Sequence, residues 1–122
     1  MKRAILLVDH GSRRDEANAL LDAVAEQVRK RTPEAIVEVA HLEITEPNIA
    51  EGIDACVRKG ATQIVVHPFF LGPGRHTSED IPEQVGRAAN RHPSTQIRIS
   101  EPLGGHDAII DVILDRVSDA ER

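Results

Sequence analysis

Three residues share a chemistry and a setting: His10 in VDHGSRR, Glu43 in HLEITEPN and His76 in GPGRHTSED. Each follows a run rich in Val, Ile or Leu. Two imidazoles and a carboxylate suit a divalent first-row ion such as Co²⁺, Fe²⁺, Ni²⁺ or Zn²⁺, and three protein ligands leave positions open for exchange. A site of that kind can hand its metal on. Taken singly, each has a plainer reading, since a histidine after a strand is more often a loop hydrogen-bonder than a ligand. Three at equivalent places reinforce one another. Beside them stand Ser12, Arg13 and Arg14, which follow Gly11, and Arg75 next to His76. The Gly11-Ser12 turn could hold an anion on backbone N–H groups, and the arginines could grip carboxylates in two-pronged pairs. The alternatives are that Ser12 caps a helix and that the arginines are solvated. As a phosphate motif HGSRR is weak, lacking the glycine spacing and lysine of a P-loop.

These residues must be positioned by an alternation of buried strands and amphipathic helices, the pattern of a parallel sheet covered on both faces. Strands are expected at 3–9, 35–43, within 62–71 and at 95–101. Helices are expected at 15–31, with Leu20, Leu21, Val24 and Val28 on one side, at 48–60 with Gly60 as stop signal, at about 80–90, and at 106–117 as a closing helix. Asp80 and Glu83 read as a capping pair around Pro82, and SDAER at the end as a fraying tail. The fold class is therefore α/β: one three-layer αβα domain over residues 1–122 with a four-stranded parallel sheet, most economically in the order 2-1-3-4. Ligands of such sheets bind outside the carboxyl ends of the strands, where His10, Glu43 and His76 would come from neighbours about 5 Å apart.

Other residues carry less. His41 could share a face with Glu43 and serve as its partner or as a packed polar group. His67 reads as a hydrogen-bonded core residue, His92 as part of a surface turn, His106 as the start of the last helix, and Cys56 as core. Phe69 and Phe70 could line a pocket for a flat ligand, though core packing is the stronger reading. A formal charge of −5 and two aromatic residues give no general pull towards nucleic acid. The single cysteine excludes an internal disulfide, an iron–sulfur cluster or a cysteine zinc site from one chain, and fits a reducing cytoplasm. The apolar run in MKRAILLVDHG is too short for a signal peptide or membrane span and reads as the first strand.

Four segments in order, LLVDHGSR, HLEITEPNIAEGI, VVHPFFLGPGRHTSEDIPE and ISEPLG, resemble the small CbiX-type, SirB-like chelatases of the class II superfamily. The resemblance implies ATP-independent insertion of a divalent metal into sirohydrochlorin, a tetrapyrrole with eight carboxylates, in cobalamin or siroheme synthesis. It implies Co²⁺ first, Fe²⁺ next and Ni²⁺ third as the metal substrate, with no nucleotide. It carries metal binding onto His10, Glu43 and His76. It also implies that the chain corresponds to one half of longer members and that short members pair as homodimers around a cleft. Asp9 departs from the small or apolar residue expected before the histidine, and an acid there could orient His10.

Insertion requires stripping water from the ion, removing two pyrrole protons and deforming the ring. His10, Glu43 and His76 would replace water, and His10 or His76, once released from the metal, would accept a proton. Ser12, Arg13, Arg14 and Arg75 would meet the substrate's carboxylates. The main rival is a non-catalytic carrier of metal or tetrapyrrole. A phosphate-binding βα domain ranks below it, because it leaves Glu43 and His76 unexplained.

Overall fold

The structure, a computed structural model, describes residues 2–122, with the backbone alone for His76 and Thr77. Its elements run β1 (Arg3–Asp9), α1 (Asp15–Arg31), β2 (Ile36–His41), α2 (Ile49–Arg58), β3 (Gln63–Pro68), a turn of π-helix (His76–Asp80), α3 (Ile81–Ala89), β4 (Gln96–Ile99) and α4 (Asp107–Glu121). The strands pair in parallel in the order β2-β1-β3-β4, as expected. In this register Leu7 lies between Val39 and His67, and Asp9 lies opposite His41.

Side chains alternate between the two faces of each strand, so the continuous apolar runs fill both. One face carries Leu6, Val8, Ile64 and Val66, packed under Ile53 of α2 and Ile81 of α3. The other carries Leu7 and Val37 under Leu21 and Ala25 of α1. Fully burying each such aliphatic side chain contributes about 1.5–3 kcal/mol, so these two seams fix which faces the helices turn inward. Cys56 is buried as expected, and burial pushes its thiol up to about 12.

Four local expectations are corrected. Leu20 is exposed, because the buried stripe of α1 passes through Leu21 and Ala25, a helical turn apart, and leaves Leu20 off that side. Asp80 does not cap α3: the π turn runs straight into the helix, so Asp80 has helical φ −69° and ψ −44° rather than the extended backbone a cap requires. The terminal SDAER continues α4 to Glu121, with Arg122 donating to Asp119 at 2.6 Å. Finally, α4 does not close the sheet. It has no buried residue, and Ile110, Val112, Ile113, Leu114 and Val117 are each 48–61% exposed. The layer formed by α1 therefore covers the β2-β1 half of its face and leaves Val65 and Arg98 of the β3-β4 half open.

Candidate functional site

The carboxyl ends of β1 and β2 are joined beyond the strands themselves. Leu42 N–H donates to Asp9 O at 2.9 Å and Glu43 N–H to His10 O at 3.1 Å, so the ladder carries His10 and Glu43 out of the sheet side by side. Glu43 thus lies two residues past the end of β2, where the sequence places it within the strand. Gly11 makes the approach feasible: it has φ +94°, and a Cβ there would meet Glu43 O at 2.0 Å. The segment that follows returns to its own start, since His41 N–H donates to Pro47 O at 2.8 Å. Asn48 and Glu51 then close a reciprocal capping box that starts α2.

On this footing His10 Nε2 lies 2.9 Å from Glu43 Oε1, and His10 Nδ1 lies 3.1 Å from Gly11 O. A carbonyl only accepts, so Nδ1 carries a proton in that contact. Nε2 and the carboxylate then face one another as two electron-pair donors unless a cation lies between them. A proton satisfies the pair at 2.9 Å; a tetrahedral ion with bonds of ~2.0–2.1 Å would hold two such donors about 3.3 Å apart. A small outward movement of these exposed side chains would give the pair the spacing of two donors to one metal ion.

His76 sits by its backbone in the π turn after β3, with Ser78 N–H donating to Gly74 O at 2.8 Å; its side chain lies outside the described residues. Among the described residues no group of three His, Cys, Asp or Glu side chains converges; of the expected donors, the described side chains of His10 and Glu43 meet. Ser12 does not cap α1, whose N-cap position is Arg14. Instead the Ser12 hydroxyl accepts from Arg14 N–H at 3.0 Å, and Ser12 N–H donates to Asn18 Oδ1 at 2.9 Å. That amide is committed to the protein and not to an anion. Arg13 is exposed, Arg14 lies 3.8 Å from Glu16, and Arg75 lies 3.8 Å from Glu79. These loose surface pairs leave both guanidinium groups able to exchange partners.

Asp9 does not orient His10. Successive residues of a strand point to opposite faces, so Asp9 turns away and accepts from Nδ1–H of its register partner His41. His41 is buried, and this hydrogen-bonded pair ties β1 to β2 directly beneath the His10-Glu43 pair. Of the two readings open for His41, the packed polar group holds; its partner Asp9 was not foreseen, although the register of adjacent parallel strands was the signal that could have found it. The remaining histidines have structural partners. His67 donates to Ser100 Oγ at 2.8 Å, and burial lowers its pKa. His92 reaches back from its turn to Asp54 at 2.7 Å, and His106 Nδ1 caps α4 by accepting from Ala108 N–H at 3.0 Å. Phe69 and Phe70 pack against opposite cores. A cavity of about 500 Å³ lined by His67, Ser100, Leu103, His106 and Ile109 separates the end of β3 from the start of α4.

The CbiX family model matches residues 4–120, nearly the whole described chain. The chain belongs to the CbiX family. Within it, the chain is 43% identical to the chloroplastic sirohydrochlorin ferrochelatase of Arabidopsis thaliana, over 93% of this chain and 50% of that protein. It is 33% identical to the sirohydrochlorin cobaltochelatase of Methanocaldococcus jannaschii, over 93% of this chain and 96% of that one. The crystal structure of the sirohydrochlorin chelatase SirB from Bacillus subtilis subspecies spizizenii in complex with cobalt superposes with a TM-score of 0.91 at 39% identity. That match covers 98% of this chain and 51% of SirB. This CbiX chain thus spans about half the length of the plant and Bacillus proteins and nearly all of the archaeal one.

Proposed function

We propose that the chain inserts a divalent metal into sirohydrochlorin without a nucleotide, with Co²⁺ as the first metal and Fe²⁺ next, in cobalamin or siroheme synthesis. The observation that carries this reading is the His10-Glu43 pair: an imidazole and a carboxylate, both solvent-accessible, held 2.9 Å apart at the carboxyl edge of a parallel sheet. Relatives named as ferrochelatase and as cobaltochelatase, and a solved neighbour holding cobalt, support the choice of metals.

In this mechanism His10, Glu43 and His76 take the ion from water. The exposure of His10 and Glu43 lets the metal bonds be exchanged one at a time for pyrrole nitrogens. Glu43 supplies the negative charge that compensates the ion, while His10 or His76, as its bond to the metal is released, accepts a pyrrole proton. His10 is well placed for that role, because its Nε2 can pass the proton to Glu43 at hydrogen-bond distance. Ser12, Arg13, Arg14 and Arg75 stand around the edge and meet the substrate's carboxylates, Ser12 through its hydroxyl. The whole of residues 1–122 acts as one domain, and two copies form a homodimer that gathers two such edges around one macrocycle. The chain would work in the cytoplasm without a nucleic-acid partner; no helix among the described residues is long and apolar enough to cross a membrane.

The test is anaerobic mixing of sirohydrochlorin with the protein and Co²⁺, then Fe²⁺, followed by absorbance against metal-only controls. Multiple turnovers faster than the metal-only rate are expected. Binding of metal or tetrapyrrole without acceleration would make the protein a carrier.

A further inference from the structure

Among the described residues, and away from α4 and from strands β3 and β4, three large apolar side chains stand well exposed: Leu20 of α1, Ile44 and Leu71. The last two belong to the carboxyl edge of the sheet. Ile44 follows Glu43 in the segment after β2 and is 55% exposed, and Leu71 lies in the loop after β3 and is 70% exposed. Strand order puts β1, and with it His10, between these segments. Strands β2 and β3 are two spacings apart, roughly 10 Å, so the segments stand on either side of His10.

The backbone fixes both positions. Gly104 packs so closely on Leu71 that a Cβ would meet its carbonyl oxygen at 1.4 Å, and Leu103 N–H donates to Phe70 O at 2.9 Å. Ile44 is held more tightly still. Its φ is +76°, a left-handed backbone that a β-branched residue adopts only under strain, and Thr45 N–H donates across it to Glu43 O at 2.9 Å, closing a three-residue turn. Bonds outside the turn clamp it, from Glu43 N–H to His10 O at 3.1 Å and from His41 N–H to Pro47 O at 2.8 Å. Glycine or asparagine would meet this backbone more easily. The chain instead keeps a stiff aliphatic group there, in solvent, beside an assigned metal ligand. Packing does not explain that choice and backbone preference opposes it, so the contact that does explain it lies outside the chain.

We infer that Ile44 and Leu71 carry the apolar face of the tetrapyrrole, on the side from which the ion is delivered. The identity of the ligand rests on the insertion reading above. A macrocycle suits this edge in kind, because its ring face is flat and apolar while its rim is lined with carboxylates. The exposed Arg13, Arg14 and Arg75 answer the rim and leave the face without a contact, which the two aliphatic side chains supply. Ile44, adjacent to Glu43 in sequence, would set the height of the ring over the His10-Glu43 pair. A β-branched side chain has little rotamer freedom to lose in doing so.

The test is an absorbance titration of metal-free sirohydrochlorin with wild type, Ile44→Gly, Ile44→Leu and Leu71→Ala, with Co²⁺ affinity read by calorimetry on the same proteins. Ile44→Gly and Leu71→Ala are each expected to weaken sirohydrochlorin binding at least ~5-fold, as loss of about half an aliphatic burial would, and to leave Co²⁺ affinity within about threefold. Ile44→Leu keeps an apolar group and should stay within about threefold in both. Ile44→Gly should also melt no lower than wild type, because glycine relieves the turn. Sirohydrochlorin affinity that neither Ile44→Gly nor Leu71→Ala weakens would overturn the inference. So would an equal loss of both affinities in Ile44→Gly, because the side chain would then only place Glu43, or a Tm loss beyond about 4 °C, because it would then be a packing residue. Wild type that binds sirohydrochlorin through these two residues yet inserts no metal would remove the insertion reading and keep the contact. Wild type that does not bind sirohydrochlorin would overturn both.

Discussion

Replacing Glu43 by Gln separates chemistry from stability more cleanly than any other change at this edge. The glutamine keeps the shape, removes the charge and puts an amide opposite His10 Nε2. The two side chains are 38% and 55% exposed, so the pair behaves as a surface contact and its loss costs under ~1 kcal/mol. For a chain of this size that lowers Tm by less than about 4 °C. Handling of the metal should suffer far more. Mutating a partner that only orients a metal ligand reduces affinity about 10–100-fold, and Glu43 is assigned as a ligand itself. We therefore expect Co²⁺ affinity, read by calorimetry, and the insertion rate, read by absorbance, each to fall at least ~100-fold, equivalent to about 2.7 kcal/mol. Glu38→Gln is the control, because Glu38 pairs with Lys59 at 3.0 Å away from the site. Insertion within about threefold of wild type for Glu43→Gln would refute the reasoning. So would a Tm loss beyond about 8 °C, because the pair would then be structural.

Gly11→Ala should lose at least ~1–2 kcal/mol to backbone strain alone and should also displace Glu43, so both chemical denaturation and Co²⁺ affinity should register it. Asp9→Ala leaves His41 buried without its acceptor and should lower stability by about 1–3 kcal/mol, again by denaturation. Asp54 accepts from Arg91 and His92, and these bonds hold its pKa below the usual 3.8. A depressed folded value means the stabilisation is fully present above 3.8 and lost as the carboxylate protonates on acidification; wild type should therefore exceed Asp54→Asn by about 1 kcal/mol at pH 7, and the gap should close as the pH falls below 3.8. The Cys56 thiol, pushed up to about 12 by burial, should resist alkylation in native protein at pH 8 and react on unfolding, which mass spectrometry reads directly.

The alternation of apolar runs and amphipathic stretches is a long-range pattern, and it made the element order, the parallel sheet and the strand order legible. The continuous runs around Leu6 and Val37 fit a sheet covered on both sides, as the β2-β1 half is. The His10-Glu43 pair was legible for the same reason, since strand order places the two segments side by side. What failed was local detail and the packing of one helix. Asp80 looked like a cap because its residue type suits one, but a π turn had already committed its backbone. Asp9 looked like a partner for its neighbour because adjacency in sequence hides the alternation of a strand. The closing helix α4 was legible as a helix, but its packing was not: it buries no residue against its own sheet.

The bond from Leu103 to Phe70, and the packing of Gly104 on Leu71, give the segment that leads to Arg75 and His76 a shared foundation with the root of α4. The two are mechanically one unit. Under the homodimer proposed above, a ligand that favours one placement of that segment would favour one placement of the helix, and hence one state of association. Thermodynamic linkage makes the relation reciprocal: whatever factor the ligand contributes to pairing, pairing returns to ligand affinity. Dilution would then act as an inhibitor, and a tetrapyrrole as a glue between subunits.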